Sequence, residues 1–182
     1  MKKALIITWE KYQDHELIYP YYSLLEHGYE VDIMANKLGK IWGSLGTHMP
    51  CSLETSILED HENISKIIEN YEILVVPGGV KALEKVRQEN GVLEFIRQWD
   101  KLGKTIFCIC NGAQLLISAK ILQGRVLSGY YSIGVDIENA GATYDKSPVV
   151  VDKNIISCPH YDFMGIWLNK AYQIHEQNRT LS

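Results

Sequence analysis

The sequence predicts an α/β protein built on a mostly parallel sheet with helices on both faces. Three observations carry that prediction. Short apolar runs at residues 3–9, 30–35, 73–76 and 105–109 alternate with stretches of helical period. Strands that are apolar almost throughout must be covered on both faces, which marks a parallel sheet rather than a half-solvated antiparallel one. The chain has 182 residues, 46% hydrophobic and 22% charged, enough to bury a sizeable core as one domain spanning 1–182.

The elements follow in order. Residues 3–9 read as the first buried strand. Residues 14–27 read as a helix with Leu17, Tyr21, Leu24 and Leu25 on one stripe and Gly28 as its C-cap. Pro20 lies inside that pattern, so the helix is kinked there or begins late. Residues 37–55 are irregular, punctuated by Gly39, Gly43 and Gly46, and read as a small hairpin or lid. A helix over 60–70 carries Ile64, Ile67 and Ile68; the strand over 73–76 stops at Pro77-Gly78-Gly79. Residues 90–102 form a helix through Val92, Leu93, Ile96 and Trp99, closed by Gly103, and a further helix covers 112–121 after the strand over 105–109. Residues 149–151 and 155–157 flank Asp152-Lys153-Asn154 as a hairpin, and 162–177 is a closing helix.

Composition narrows the function classes. Eighteen basic against 22 acidic residues leave a net charge of −4, with no overall attraction to nucleic acid or anionic lipid. Met1-Lys2-Lys3 precedes an apolar run that Trp9-Glu10-Lys11 interrupts, too short for a secretory signal, and no stretch is long enough to cross a membrane as a helix. A cytoplasmic protein is the expectation. The four cysteines are too sparse for a disulfide framework, and Cys108-Ile109-Cys110 lacks the second Cys/His pair of a zinc site.

In open α/β sheets ligands bind beyond the carboxyl ends of the strands. This directs attention to residues 8–16, 77–79 and 110–112. Cys110 stands where an apolar strand meets a helix, and a tight turn there would project its side chain into solvent beside the positive end of the helix. That setting predicts a thiol pKa below the free value; the bland alternative is a small buried cysteine. Gly112 permits close backbone passage, and Cys108 reads as inert core. Gly79 could point an amide into the cleft, forming an oxyanion hole with the amide that follows the cysteine, although a plain tight turn fits equally. By spacing alone Glu16 reads as a solvated carboxylate at a helix end. His15 and His27 read as surface positions, whereas His160 sits in a loop that could face the same cleft.

Together, Glu16-Leu-Ile-Tyr-Pro20, Val75-Val-Pro-Gly-Gly79, the run 108–119, Asn139-Ala-Gly-Ala142 and Pro148-Val-Val-Val-Asp152 resemble the ThiJ/PfpI superfamily, relatives of the class I glutamine amidotransferase domain. The resemblance spans nearly the whole chain. It implies a flavodoxin-like three-layer sandwich with Cys110 as reactive cysteine on a nucleophile elbow. It implies that Glu16 is the protonated carboxyl hydrogen-bonded to the sulfur, and that the Gly79 and Asn111 amides form the oxyanion hole. No cofactor or metal is implied; relatives form homodimers or larger homo-oligomers, and Tyr130 or Tyr131 falls where relatives place pocket residues.

The sequence departs from the protease-like branch at Asn111, where that branch has histidine paired with a glutamate of a neighbouring subunit. Asparagine cannot take a proton at neutral pH. Glu84 falls near that glutamate's position but has no imidazole to orient, so peptidase chemistry is not expected unless His160 supplies the base. Three functions fit. One is a cysteine-dependent hydrolase, or an enzyme of glyoxalase or deglycase type, acting on a small carbonyl or amide. The second is a non-catalytic redox or stress protein whose cysteine oxidises selectively. The third is a small-molecule binding module.

Overall fold

The computed structural model describes residues 1–181. In chain order the elements are β1 (Lys3–Ile7), α1 (Asp14–Glu26), β2 (Glu30–Ala35), β3 (Gly39–Trp42), β4 (His48–Cys51), β5 (Leu53–Glu54), α2 (His61–Asn70), β6 (Ile73–Val76), α3 (Val80–Val86), α4 (Asn90–Lys101), β7 (Thr105–Ile109), α5 (Ala113–Ser118), β8 (Val126–Leu127), α6 (Gly134–Asn139), β9 (Thr143–Tyr144), β10 (Val150–Asp152), β11 (Ile155–Cys158) and α7 (Met164–Leu181).

Seven strands form one sheet in the order β10-β11-β7-β6-β1-β2-β5. Every neighbouring pair is parallel except β10 and β11, the expected hairpin. All residues of β6, β7 and β11 are buried, which explains their unbroken apolar runs. α1 packs with α7 beside the sheet, while α4 packs with α2 and α5. Helices thus cover both faces of the flavodoxin-like sandwich. The irregular segment 37–55 contains the β3–β4 hairpin, outside the main sheet, followed by β5 at the sheet's edge.

Four expectations change in detail. α1 runs through Pro20 rather than beginning after it. Because proline has no amide hydrogen, the Glu16 carbonyl receives no amide from that position. The helix expected over 112–121 opens as a 3-10 turn at Cys110–Gly112 and ends at Ser118, just before Lys120 takes φ +61°. The closing helix likewise opens as a 3-10 turn at Tyr161–Phe163 and then runs to Leu181. α3 lies in a stretch where sequence periodicity pointed to no helix: it has seven residues, too few to establish a period, and buries Ala82, Leu83 and Val86.

Candidate active site

Cys110 sits immediately after β7, between strand and helix. Its φ is +58°, a left-handed conformation that is uncommon and costly for a residue with a Cβ. The turn is held by close backbone passage: a side chain on Gly112 would collide with the Val76 carbonyl at the end of β6. The Cys110 carbonyl accepts from Tyr130 N at 3.2 Å, which anchors the next loop over the elbow.

Glu16 comes from the first turn of α1 and is fully buried. Its Oε2 accepts a hydrogen bond from Gly78 N at 2.7 Å. A methyl group on Gly78 would strike that same oxygen while lying 3.0 Å from Cys110 Cβ and 3.1 Å from Asn111 N. Carboxyl, cysteine and elbow amide therefore converge on one glycine. Gly79 is constrained as well: its φ is +114°, and a Cβ there would meet Gln13 N at 2.6 Å. The Asn111 amide faces the sulfur and favours its ionised form. The Cys110 thiol donates to Asn111 Oδ1 at 3.5 Å, and Glu16 Oε1 has no hydrogen-bond partner.

Two expectations are corrected by burial. The Cys110 side chain does not project into solvent; the residue is only 6% exposed, on the wall of a cleft of about 510 Å³. Nor is its thiol pKa depressed. Burial pushes it above the ordinary cysteine value, and the neighbouring Glu16 charge pushes it further, outweighing the Asn111 amide. The helix after the elbow has only six residues. Glu16 is raised as well, to about 7, by burial first, against the stabilising contacts with Cys110 and Gly78 N. Glu16 therefore exchanges its proton near neutrality while the resting sulfur holds its own.

Glu16, Gly79, Cys110, Asn111 and His160 all line this cleft, with Tyr130 and Tyr161 as aromatic wall. Tyr131 is 51% exposed and is not among the lining residues. His160 forms no hydrogen bond with Cys110 among the described residues. Its Nδ1 accepts from Asp162 N at 3.2 Å and lies 3.2 Å from the Asp162 carboxylate, and its ring packs on Tyr161 with centroids 4.0 Å apart. Glu84 is exposed on α3. His15 is exposed and stacks on Tyr161; His27 is exposed and stacks on Tyr172. Cys108 is completely buried, and Cys51 donates to the carbonyls of Ile33 and Leu53.

Sequence reasoning passed over Gly78 as the partner of Glu16, and Gln13 and Ser44 as lining residues. Their one legible signal was the glycine pair after β6. Among the described residues no cluster of three or more His, Cys, Asp or Glu side chains is arranged to hold a metal, and no helix is long and apolar enough to cross a membrane.

A strained cysteine between an interior parallel strand and a helix, facing a buried carboxyl, defines the class: a flavodoxin-like α/β protein with an elbow cysteine. The chain belongs to the DJ-1/PfpI family, whose profile matches residues 2–171, in agreement with the resemblance carried by the motifs. Deglycase PfpI of Pyrococcus furiosus is 36% identical over 172 residues, covering 94% of this chain and 98% of that protein. General stress protein 18 of Bacillus subtilis is 34% identical over 158 residues, covering 86% and 84%. Among solved structures, a two-domain protein of Anabaena variabilis with DJ-1/ThiJ/PfpI-like and ferritin-like domains superposes with a TM-score of 0.85 at 27% identity. That match covers 97% of this chain, which spans about half of the larger protein (48%). Schizosaccharomyces pombe DJ-1 superposes with a TM-score of 0.82 at 19% identity, over 94% of this chain and 91% of that one, a likeness of fold.

Proposed function

We propose that the protein is a cysteine-dependent enzyme of deglycase or glyoxalase type, acting on a small reactive carbonyl such as a 2-oxoaldehyde or its adduct with an amine. The observation that supports this reading best is the convergence of the Glu16 carboxyl, the Cys110 side chain and the Asn111 amide on Gly78. The deglycase named among its relatives supports the same chemistry.

The raised thiol pKa gives the reaction its order. Near neutrality part of the Glu16 population is ionised and able to accept a proton. As the Cys110 sulfur forms its bond to the aldehyde carbon, the thiol proton passes to Glu16. The carbonyl π electrons move to oxygen, where the Gly79 and Asn111 amides receive them. Glu16 then returns the proton to that oxygen, giving a neutral hemithioacetal with every proton accounted for. His160 serves as cleft wall in this scheme, since it lines the cleft without a hydrogen bond to Cys110 among the described residues.

The test is turnover of methylglyoxal, and of its adduct with an acetylated lysine, by the wild-type chain and by Cys110→Ala. The expected result is measurable turnover in the first and a loss of the order of 10⁴-fold or more in the second. Equal turnover by the two chains would overturn the proposal.

A further inference from the structure

Asp14 stands two residues before Glu16 in the first turn of α1 and is also buried, yet its carboxylate points away from the sulfur, to the turn of the β3–β4 hairpin. It accepts from Leu45 N at 2.8 Å, from Thr47 N at 3.0 Å and from the Thr47 hydroxyl. A side chain on Gly43 would collide with the same carboxylate, so the turn can close over Asp14 only with glycine there. Burial opposes ionisation of Asp14, but the Thr47 hydroxyl and the two amides outweigh it and hold the carboxyl below the ordinary aspartate range.

The hairpin turn is stitched in turn to the segment that enters α1. Lys11 N donates to Trp42 O at 2.7 Å, Ser44 N to Tyr12 O at 2.9 Å and Ser44 Oγ to Lys11 O at 2.8 Å; the Tyr12 hydroxyl donates to Thr47 O at 3.2 Å. Lys11 itself is held at φ +67°, an unfavourable conformation for lysine that these contacts sustain. The segment then bears directly on the oxyanion loop. Gln13 N donates to Gly78 O at 3.1 Å, and Tyr12 and Gln13 backbone atoms fill the space beside Gly79 where a Cβ would stand. Gly78 N, on the other side of that residue, is the donor to Glu16.

We infer that Asp14 is a positioning residue for the cysteine site: by fastening the hairpin turn it fixes segment 11–13, and through it the Gly78–Gly79 loop and the Glu16 carboxyl that faces Cys110. The contact chain runs from the hairpin to Asp14 and residues 11–13, then to Gly78 and Glu16, and every link is a hydrogen bond or a close backbone approach. The hairpin also carries Ser44 into the cleft, so the same fastening sets the shape of the cleft mouth. This inference deepens the proposed enzymatic reading and rests on it for its effect on turnover; its effect on the thiol stands independently.

The experiment compares wild type, Asp14→Ala, Asp14→Asn and Thr47→Val in two assays: the pH dependence of Cys110 alkylation by iodoacetamide, and steady-state methylglyoxal turnover. A displacement of about 1 Å at a reacting centre costs on the order of 100-fold in rate. Asp14→Ala should therefore lower kcat by about that factor with KM little changed, and should move the midpoint of the alkylation profile, because the Glu16–Cys110 spacing is altered. Asp14→Asn, which keeps one acceptor oxygen, should lie between it and wild type. Thr47→Val, which removes only the hydroxyl donor, should move the alkylation midpoint in the same direction by less. A folded Asp14→Ala protein with the wild-type alkylation profile would overturn the inference. If Asp14→Ala does not fold, an unchanged profile in Thr47→Val overturns it and a moved midpoint supports it. If wild type turns over no dicarbonyl, the enzymatic reading fails while the alkylation profiles still decide the role of Asp14.

Discussion

Two regions at opposite ends of the same strands treat their polar groups differently. At the carboxyl ends of β1, β6 and β7, Glu16 Oε1 and Thr8 Oγ1 are buried without hydrogen-bond partners, and Cys110 is held in a left-handed conformation. At the amino ends of β7 and β11, Arg125 is almost as deeply buried but closely paired, with four hydrogen bonds. Its guanidinium donates to Asp100 at 3.0 Å, to the Asp152 carboxylate at 3.3 Å and carbonyl at 2.8 Å, and to Asn154 at 2.9 Å. Asn154 returns two more hydrogen bonds, to Asp100 and to Lys104 O. The Arg125 cluster is closely paired and therefore fixed; the groups beside Cys110 keep acceptors unfilled, which is a cost to folding and an opportunity for a ligand. The lesson is that burial alone does not mark a site. Tyr29, Glu72 and His175 also bury polar atoms without hydrogen-bond partners, and among the described residues only those beside Cys110 adjoin a strained nucleophile and a cleft.

The comparison breaks most visibly at the Arg125 cluster. Arg125→Ala should strip partners from Asp100, Asp152 and Asn154 together and cost about 3–5 kcal/mol in denaturant unfolding. The Cys110 alkylation rate in the folded variant should stay at the wild-type value; a changed rate would show that the two ends are coupled. Beside Cys110 the sign reverses. Glu16 titrates near 7 in the folded chain against an ordinary 4.5, so the native state keeps a proton that the unfolded chain releases between those values. Stability must then fall as pH rises through that window. Glu16→Gln removes the penalty: it should be more stable than wild type by up to about 3 kcal/mol at pH 8.5, level with it at pH 4, and far less active. Equal stability at both pH values would show that Glu16 is not desolvated. The smallest effect is at Thr8. Replacing its unpartnered hydroxyl by a methyl in Thr8→Val should stabilise the fold by about 1 kcal/mol, read as a rise in Tm; a destabilisation would mean that the hydroxyl has a partner.

Much of this fold could be read from the sequence because β6 and β7 are buried on both faces and their residues say so one after another. Cys110 was legible for the same reason: a reactive residue type directly after an unmistakable strand. Glu16 was not. At a helix start a carboxylate is ordinarily solvated, and its burial comes from Gly78, 62 residues away. Asp14 was invisible on the same ground, its partners lying 31 and 33 residues along in a segment without periodicity. The thiol pKa was misjudged in direction because the helix dipole is a local, readable feature, whereas the burial and the Glu16 charge that dominate it are tertiary. The Arg125 cluster gathers three short stretches, 100–104, 125 and 152–154, none with a motif of its own.

The sheet ends in β5, of two residues, on one side and β10, of three, on the other. A neighbouring chain that tried to extend the sheet would find too few free amides and carbonyls to form a lasting ladder. The main sheet thus carries a strongly apolar interior while its two edges offer little template on which a further strand could grow.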